Sequence, residues 1–246
     1  MRIAILTDIH GNREALSACL AHARLLGVDR LIFLGDYVGY GADPVWAVET
    51  VAALAAEGAV ALLGNHDAAI DGSDAGMNAL AQAAIRWTRD RLSAEHRAFL
   101  SGLPLVHEEG NVLYAHANGY DPGGWDYMAG PMDAVRHFTH VQAPITFCGH
   151  VHVPMLYHMS TAAKVGAFAP VAHNDIPLLP TRAWLAVIGA VGQPRDGNPA
   201  AHYAIFDAAR QNLRYLRVPY DHAAAARKVR AAGLPEKLAL RLEQGR

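Results

Sequence analysis

Met1-Arg2-Ile3-Ala4-Ile5-Leu6-Thr7-Asp8-Ile9-His10 opens the chain. A short apolar run that stops at Thr7 and is followed by an acid and an imidazole reads as a buried strand with polar groups at its carboxyl end. The pattern recurs four times. Arg30–Leu34 leads into Gly35-Asp36, Ala59–Leu63 into Gly64-Asn65-His66-Asp67, Asn111–Ala115 into His116, and Pro144–Cys148 into Gly149-His150-Val151-His152. Between the first runs, Ala15, Leu16, Cys19, Leu20, Ala23 and Leu26 form one helical stripe over Asn12–Leu26, which Gly27 is placed to stop. A second helix is expected over Pro44–Glu57, begun by a proline and ended at Gly58. Strand–helix–strand–helix–strand gives βαβ units and a parallel half-sheet. Ligands collect at the carboxyl ends of strands in open α/β sheets. Two carboxylates, one amide and three or four imidazoles are therefore expected on one edge of one sheet.

Further along, Met77–Leu92 predicts a helix, and Ser93 caps a short one that runs through Leu100. Residues 119–143 change character: Gly119-Tyr120-Asp121-Pro122-Gly123-Gly124-Trp125 is turn-rich, and a short helix follows around Met132–Phe138. The segment joins two strands that both end in candidate ligands, so it is expected to lie over the site like a lid. Trp184–Val191, His202–Phe206 and Asn212–Val218 alternate as antiparallel strands do. Asp221–Ala232 and Pro235–Leu242 are closing helices. Neither a linker nor a repeat breaks the pattern. Residues 1–246 are therefore expected to form one α/β domain of two packed sheets.

A chain of 246 residues, 52% hydrophobic and 18% charged, has the composition of a globular protein rather than a disordered one. Its formal net charge of −2 provides no global field for long nucleic acid or an anionic membrane. The start reaches Asp8 too soon for a signal peptide, and no run approaches the ~20 apolar residues of a membrane helix. A cytoplasmic location is the expectation. Cys19 and Cys148 sit among apolar neighbours and read as buried small hydrophobes.

The residue types at the strand ends fit metal chemistry. Asp8 and His10 sit two apart, so both face one site while Ile9 turns to the core. Asp36 can bridge two cations, because a carboxylate has two oxygens and about four lone-pair directions. Asn65 offers a neutral carbonyl oxygen, and His116, His150 and His152 offer ring nitrogens. Nitrogen and oxygen donors without thiolate suit Mn, Fe or Zn, with Co or Ni also possible, rather than Ca or Mg alone.

Asp8-x-His10, Gly35-Asp36, Gly64-Asn65-His66-Asp67, His116 and Gly149-His150-x-His152, in that order, resemble the signature of calcineurin-like metallophosphoesterases. Gly192-Gln193-Pro194-Arg195-Asp196-Gly197 and Ala231-Ala232-Gly233-Leu234-Pro235 look like a compact prokaryotic branch that includes phosphodiesterases, phosphatases and dinucleoside-polyphosphate hydrolases. The resemblance implies a four-layer α/β/β/α sandwich. It assigns Asp8, His10 and His152 to one metal ion, Asn65, His116 and His150 to a second, and Asp36 to both. It also implies that a hydroxide bridging the ions attacks phosphorus in line, with His66 as general acid.

Other residues keep two readings. Asn12 either hydrogen-bonds substrate or caps the first helix, and Arg195 is either a phosphate clamp or an exposed turn residue. Asp67 either orients His66 or caps the helix that follows, and Trp125-Asp126-Tyr127 either stacks on a nucleobase or packs the lid. The Asp-Arg pair of protein serine/threonine phosphatases is replaced by Gly39-Tyr40, which argues against a phosphoprotein substrate. The expected function is a two-metal hydrolase of a small phosphorylated substrate such as a nucleotide, as a phosphodiester or dinucleoside polyphosphate. The alternatives are a phosphomonoesterase and a non-catalytic scaffold of the same fold. A nuclease would need a basic groove, and Arg227, Lys228 and Arg230 are the only basic cluster in view.

Overall fold

The computed structural model describes residues 1–246. The chain begins β1 (Arg2–Leu6), α1 (Arg13–Leu25), β2 (Arg30–Phe33), α2 (Pro44–Ala56), β3 (Val60–Ala61) and α3 (Asn65–Ala68). It continues through α4 (Ala79–Arg89), α5 (Ala94–Ser101), β4 (Val106–Glu109), β5 (Val112–Ala115), α6 (Pro131–His140) and β6 (Ile145–Cys148). Then come β7 (Met155–Ser160), β8 (Val165–Phe168), β9 (Asp175–Pro177), β10 (Arg182–Val187), β11 (Ala201–Asp207), β12 (Asn212–Val218), α7 (His222–Ala231) and α8 (Glu236–Gln244).

Two six-stranded sheets result, ordered β3-β2-β1-β11-β12-β9 and β4-β5-β6-β10-β7-β8. Side-chain alternation along β1 explains the layering. Ile3 and Ile5 face the second sheet and pack with Tyr114, Phe147, Trp184 and Ala186. Ala4 and Leu6 face the other way, onto Ala15, Leu16 and Cys19 of α1 and Ala47 and Val51 of α2. On the far side of the second sheet, Cys148, Tyr157, Leu185 and Val187 pack on Ala134 and Phe138 of α6. Helix, sheet, sheet and helix thus make the four-layer α/β/β/α sandwich.

One expectation is corrected by this topology. The candidate ligands do not lie on one edge of one sheet: β1, β2 and β3 belong to the first sheet, while β5 and β6 belong to the second. Both sheets point their carboxyl ends to the same side, and the chain stitches them together there. Val191 and Gly192, just past β10 of the second sheet, donate backbone hydrogen bonds to Thr7 and Asp8 past β1 of the first, at 3.0 and 2.8 Å. A second correction concerns β10, which pairs in parallel with β6 as well as antiparallel with β7. Its Trp184–Val187 run is buried on both faces, and so it does not alternate.

The buried imidazole of His137 on α6 meets Thr146 Oγ1 at 3.1 Å, and burial pushes its pKa down to about 4. The unfolded chain therefore binds this proton from about pH 6.5 downward while the folded chain does not. Stability from His137 is full above pH 6.5 and is lost as pH falls towards 4, by up to about 3 kcal/mol at 1.36 kcal/mol per pH unit. In the metal-free protein, the urea midpoint of His137→Gln should be flatter with pH than that of wild type over this window. Parallel curves would refute the assignment.

Candidate metal centre

Five of the seven candidate ligands leave their strands in left-handed backbone. Asp8, His10, Asp36, His150 and His152 have φ between 51° and 66°. Such backbone costs about 1–2 kcal/mol per residue for L-amino acids. Burial of residues such as Ile3, Ile5, Leu6, Ile32 and Phe147 in the strands behind them, at roughly 1.5–3 kcal/mol each, offsets it. Hydrogen bonds continue the β1–β2 pairing into the loops: Asp8, His10 and Gly11 donate to the carbonyls of Gly35, Asp36 and Tyr37 at 3.0, 2.9 and 2.7 Å. At Gly149 the two sheets approach so closely that a Cβ would collide with Thr7 Oγ1 and the Asp8 carboxylate.

Two acceptor clusters result, joined through Asp36. In the first, His10 Nδ1 donates to the Val38 carbonyl at 2.9 Å and His152 Nδ1 to the Gln193 carbonyl at 2.7 Å. Those bonds fix the tautomers, so both Nε2 atoms present lone pairs. They face each other at 3.1 Å, and Asp8 Oδ1 lies 3.1 Å from His152 Nε2. In the second, His116 Nδ1 donates to the Leu34 carbonyl at 3.2 Å, which turns its Nε2 lone pair inward. Asn65 Oδ1 and His150 Nδ1 each lie 3.2 Å from that nitrogen. Asp36 Oδ2 stands between the clusters, 3.7 Å from His10 Nε2 and 3.4 Å from His116 Nε2. Lone pairs aimed at one another in a buried site are destabilising unless a cation lies among them. The donor set therefore fits two metal ions.

The electrostatics agree. Burial would raise the Asp8 and Asp36 carboxyls, yet the imidazoles beside them, His152 for Asp8 and His116 for Asp36, bring both below the ordinary range. Burial lowers His10, and it lowers His150 to about 3, so both rings are neutral at pH 7, as ligands must be. His116 is the exception: burial lowers it, but Asp36 outweighs that and pushes it up to about 9. A cation competes for the same lone pair, so metal affinity at this cluster should weaken as pH falls.

The sequence did not reveal the supports of these ligands, because most are backbone carbonyls. Thr7 is a partial exception: its hydroxyl donates to Asp8 Oδ2 at 2.8 Å, and the His150 amide donates to the same oxygen at 2.9 Å. His66 lies beside both clusters, its ring 4.8 Å from that of His10 and 4.5 Å from that of Tyr40. Its backbone N–H donates to Asp36 Oδ1 at 2.8 Å, while the buried Nδ1 has no partner. A Cβ at Gly39, whose φ is +83°, would collide with that nitrogen.

Asp67 does cap α3, accepting from the N-cap amide of Gly64, but its carboxylate holds the Asp36 loop as well and does not orient His66. Its two oxygens accept from the amides of Asp36, Tyr37, Val38 and Gly64 at 2.7, 2.9, 3.3 and 3.0 Å. Burial and the Asp36 charge push its carboxyl up, but four N–H donors require the ionised form. Asp67→Ala should cost at least about 3 kcal/mol of stability in a denaturant titration, since several buried donors lose their acceptor. A loss below about 1 kcal/mol would contradict this reading.

For Asn12 the geometry carries the cap reading. Its Oδ1 accepts from Ala15 N at 3.1 Å, and its amide donates to the Gly192 carbonyl at 2.8 Å and the Tyr220 hydroxyl at 3.1 Å. Arg195 lies over the Tyr40 ring at 5.7 Å and donates to Gln193 Oε1 at 2.9 Å. Trp125 meets His116 edge-on at 5.9 Å, and Tyr127 stacks on His150 at 4.1 Å, so residues from the 119–143 segment do reach the site. Asn118 ties that segment to itself through Tyr120, Asp121 and Asp126. His173 pairs with β12, away from the clusters. Lys228 is paired with Glu14 and Asp43, and Arg230 with Glu236 and Glu243, so two of the three cations of the Arg227, Lys228 and Arg230 cluster are already neutralised by acids.

A two-sheet sandwich carrying paired clusters of metal-ligand donors at the joined strand ends is the arrangement of a metallophosphoesterase. The calcineurin-like phosphoesterase superfamily domain matches residues 1–211, and the chain belongs to that family. An uncharacterized protein of Methanocaldococcus jannaschii is 35% identical over 99% of this chain and 98% of its own. The crystal structure of a metallophosphoesterase from Sphaerobacter thermophilus superposes with a TM-score of 0.88 at 37% identity, covering 100% of this chain and 99% of that one. A hypothetical protein of Pyrococcus horikoshii OT3 shares the fold at 20% identity and a TM-score of 0.77, with 100% and 98% coverage. The protein is thus a metal-dependent phosphoester hydrolase.

Proposed function

We propose that this enzyme hydrolyses a small phosphodiester or dinucleoside polyphosphate, with Asp8, His10 and His152 holding one transition-metal ion and Asn65, His116 and His150 another. Asp36 serves both ions. Mn, Fe and Zn suit the mixed nitrogen and oxygen donors best. When bound, such a pair supplies Lewis acidity at the phosphoryl oxygens and a nucleophile near neutral pH. The chain's own residues supply the rest. Thr7 and the His150 amide keep Asp8 Oδ1 turned inward, and the Val38 and Gln193 carbonyls hold the tautomers of His10 and His152. His66 gives its proton to the departing oxygen. Arg195, over Tyr40, contacts the phosphate side, and Asn12 acts through the Gly192 turn it holds.

The observation that carries this reading is the buried, unpartnered Nδ1 of His66 beside Asp36 and His10. No hydrogen bond within the chain uses that atom, and the His66 ring also lines the cavity beside the clusters, where a substrate oxygen can reach it. The test is hydrolysis of bis-p-nitrophenyl phosphate against p-nitrophenyl phosphate, with Mn²⁺ and with chelator. Chelator-sensitive turnover of the diester is expected. Turnover of the monoester alone would replace this reading with a phosphomonoesterase, and turnover of neither by metal-loaded protein would revive the scaffold.

A further inference from the structure

A cavity of about 660 Å³ opens beside the clusters, within the size range of small-molecule sites. Asn65, His66 and His150 border it, but Asp8, His10 and His152 do not, so it extends from the clusters on one side only. Its remaining walls are Tyr40, Met77, Asn78, Trp125, Tyr127, Gly124 and small residues of the 68–81 segment, with no lysine, arginine, aspartate or glutamate.

Three features define what fits. His66 lines the cavity, so the oxygen that takes its proton belongs to the group lying there; the occupant is the departing alcohol. In that step the P–O bond to this alcohol breaks, a water oxygen forms the new P–O bond, and a proton ends on the alcohol. Next, the walls carry no cation, so an occupant bearing further phosphates would lose its hydration without gaining a counter-charge. The occupant is uncharged. Last, two aromatic rings flank the space. Tyr127 stacks one face on His150 at an interplanar angle of 22°, and the residue is still 53% exposed. Trp125 is only half-buried, held edge-on to His116 at 70°. An exposed aromatic pair beside a cavity supplies a stacking platform for a flat π system. Asn78 adds polarity: its Oδ1 caps α4 by accepting from Leu80 and Ala81, and its amide N–H groups have no partner within the chain.

We infer that this cavity receives a nucleoside as the leaving group of a phosphodiester, with Trp125 and Tyr127 stacking on its base. The inference rests on the phosphoesterase reading and narrows it, from dinucleoside polyphosphates to diesters with one phosphorus between a nucleoside and a second group.

The experiment measures inhibition of Mn²⁺-supported bis-p-nitrophenyl phosphate hydrolysis by adenosine and, separately, by inorganic phosphate. Wild type, Trp125→Ala, Trp125→Phe and Tyr127→Ala are compared. Adenosine should compete, and its inhibition constant should rise roughly tenfold in each alanine variant. Trp125→Phe should restore most of that loss, and the constant for phosphate should move far less. If the diester is turned over but adenosine fails to compete at millimolar concentration, the nucleoside site is overturned and the phosphoesterase reading stands. The same holds if both inhibition constants rise together. If metal-loaded protein turns over no diester, the phosphoesterase reading is what fails. Quenching of tryptophan fluorescence by adenosine then decides the cavity by itself: saturable quenching supports it and none overturns it. A dinucleoside tetraphosphate cleaved with higher kcat/KM than the matching dinucleoside monophosphate would overturn the uncharged leaving group.

Discussion

Asp36→Asn should abolish the paired metal centre while leaving the fold intact. The substitution keeps the shape of the side chain, and an amide oxygen can still accept from the His66 backbone N–H now bonded to Oδ1. What disappears is the charge on Oδ2, which stands 3.7 Å from His10 Nε2 and 3.4 Å from His116 Nε2. No other carboxylate reaches both clusters. Two cations close together repel strongly, and an anion between them is the main offset. Loss of a supporting hydrogen-bond partner alone costs 10–100-fold in affinity or activity at metal sites. Loss of the shared ligand should therefore lower turnover by more than about 10²-fold. Elemental analysis should find no more than one ion per chain. Full metal content with reduced turnover would show that Asp36 does not bridge.

His66→Ala should produce the opposite split: metal retained, turnover lost. The link between this position and Asp36 runs through the backbone N–H, which alanine preserves. Without ligands, burial pushes the His66 ring down to about 4. An anionic phosphoester bound beside it favours the charged form and raises the pKa again. General acid catalysis is worth about 10²–10⁴-fold, and the loss should be of that order for alkyl leaving groups, which need a proton. For p-nitrophenolate, which leaves as a stable anion, it should be much smaller. A uniform loss across leaving groups would make His66 an electrostatic or positioning residue.

Much of the site was legible because strand ends are marked by composition. Asp8, His10, Asp36, Asn65, His116, His150 and His152 each follow a short apolar run, and the structure gathers all seven. Their distribution over two sheets was not legible, since parallel pairing leaves no mark that says which strands are neighbours. The stitching of Val191 and Gly192 to Thr7 and Asp8 is backbone chemistry that side-chain types do not report. Strands β4, β7, β8 and β9 escaped for a related reason. Glu108 and Glu109 in β4 and Pro177 in β9 break any apolar run, and β7 is buried only at Leu156 and Tyr157. The cap that Asp67 makes to Gly64 is local and legible, whereas the amides of Asp36, Tyr37 and Val38 that it also holds lie some thirty residues away and leave no local signal.

Two buried donor clusters that share Asp36 should hold two ions. No helix is long and apolar enough to cross a membrane. The measurement is calorimetric titration of chelator-stripped protein with Mn²⁺, with stoichiometry checked by elemental analysis after gel filtration. Two ions per chain are predicted in the native sequence, with both sites weakened in Asp36→Asn. One ion per chain, or two ions unaffected by Asp36→Asn, would contradict the account.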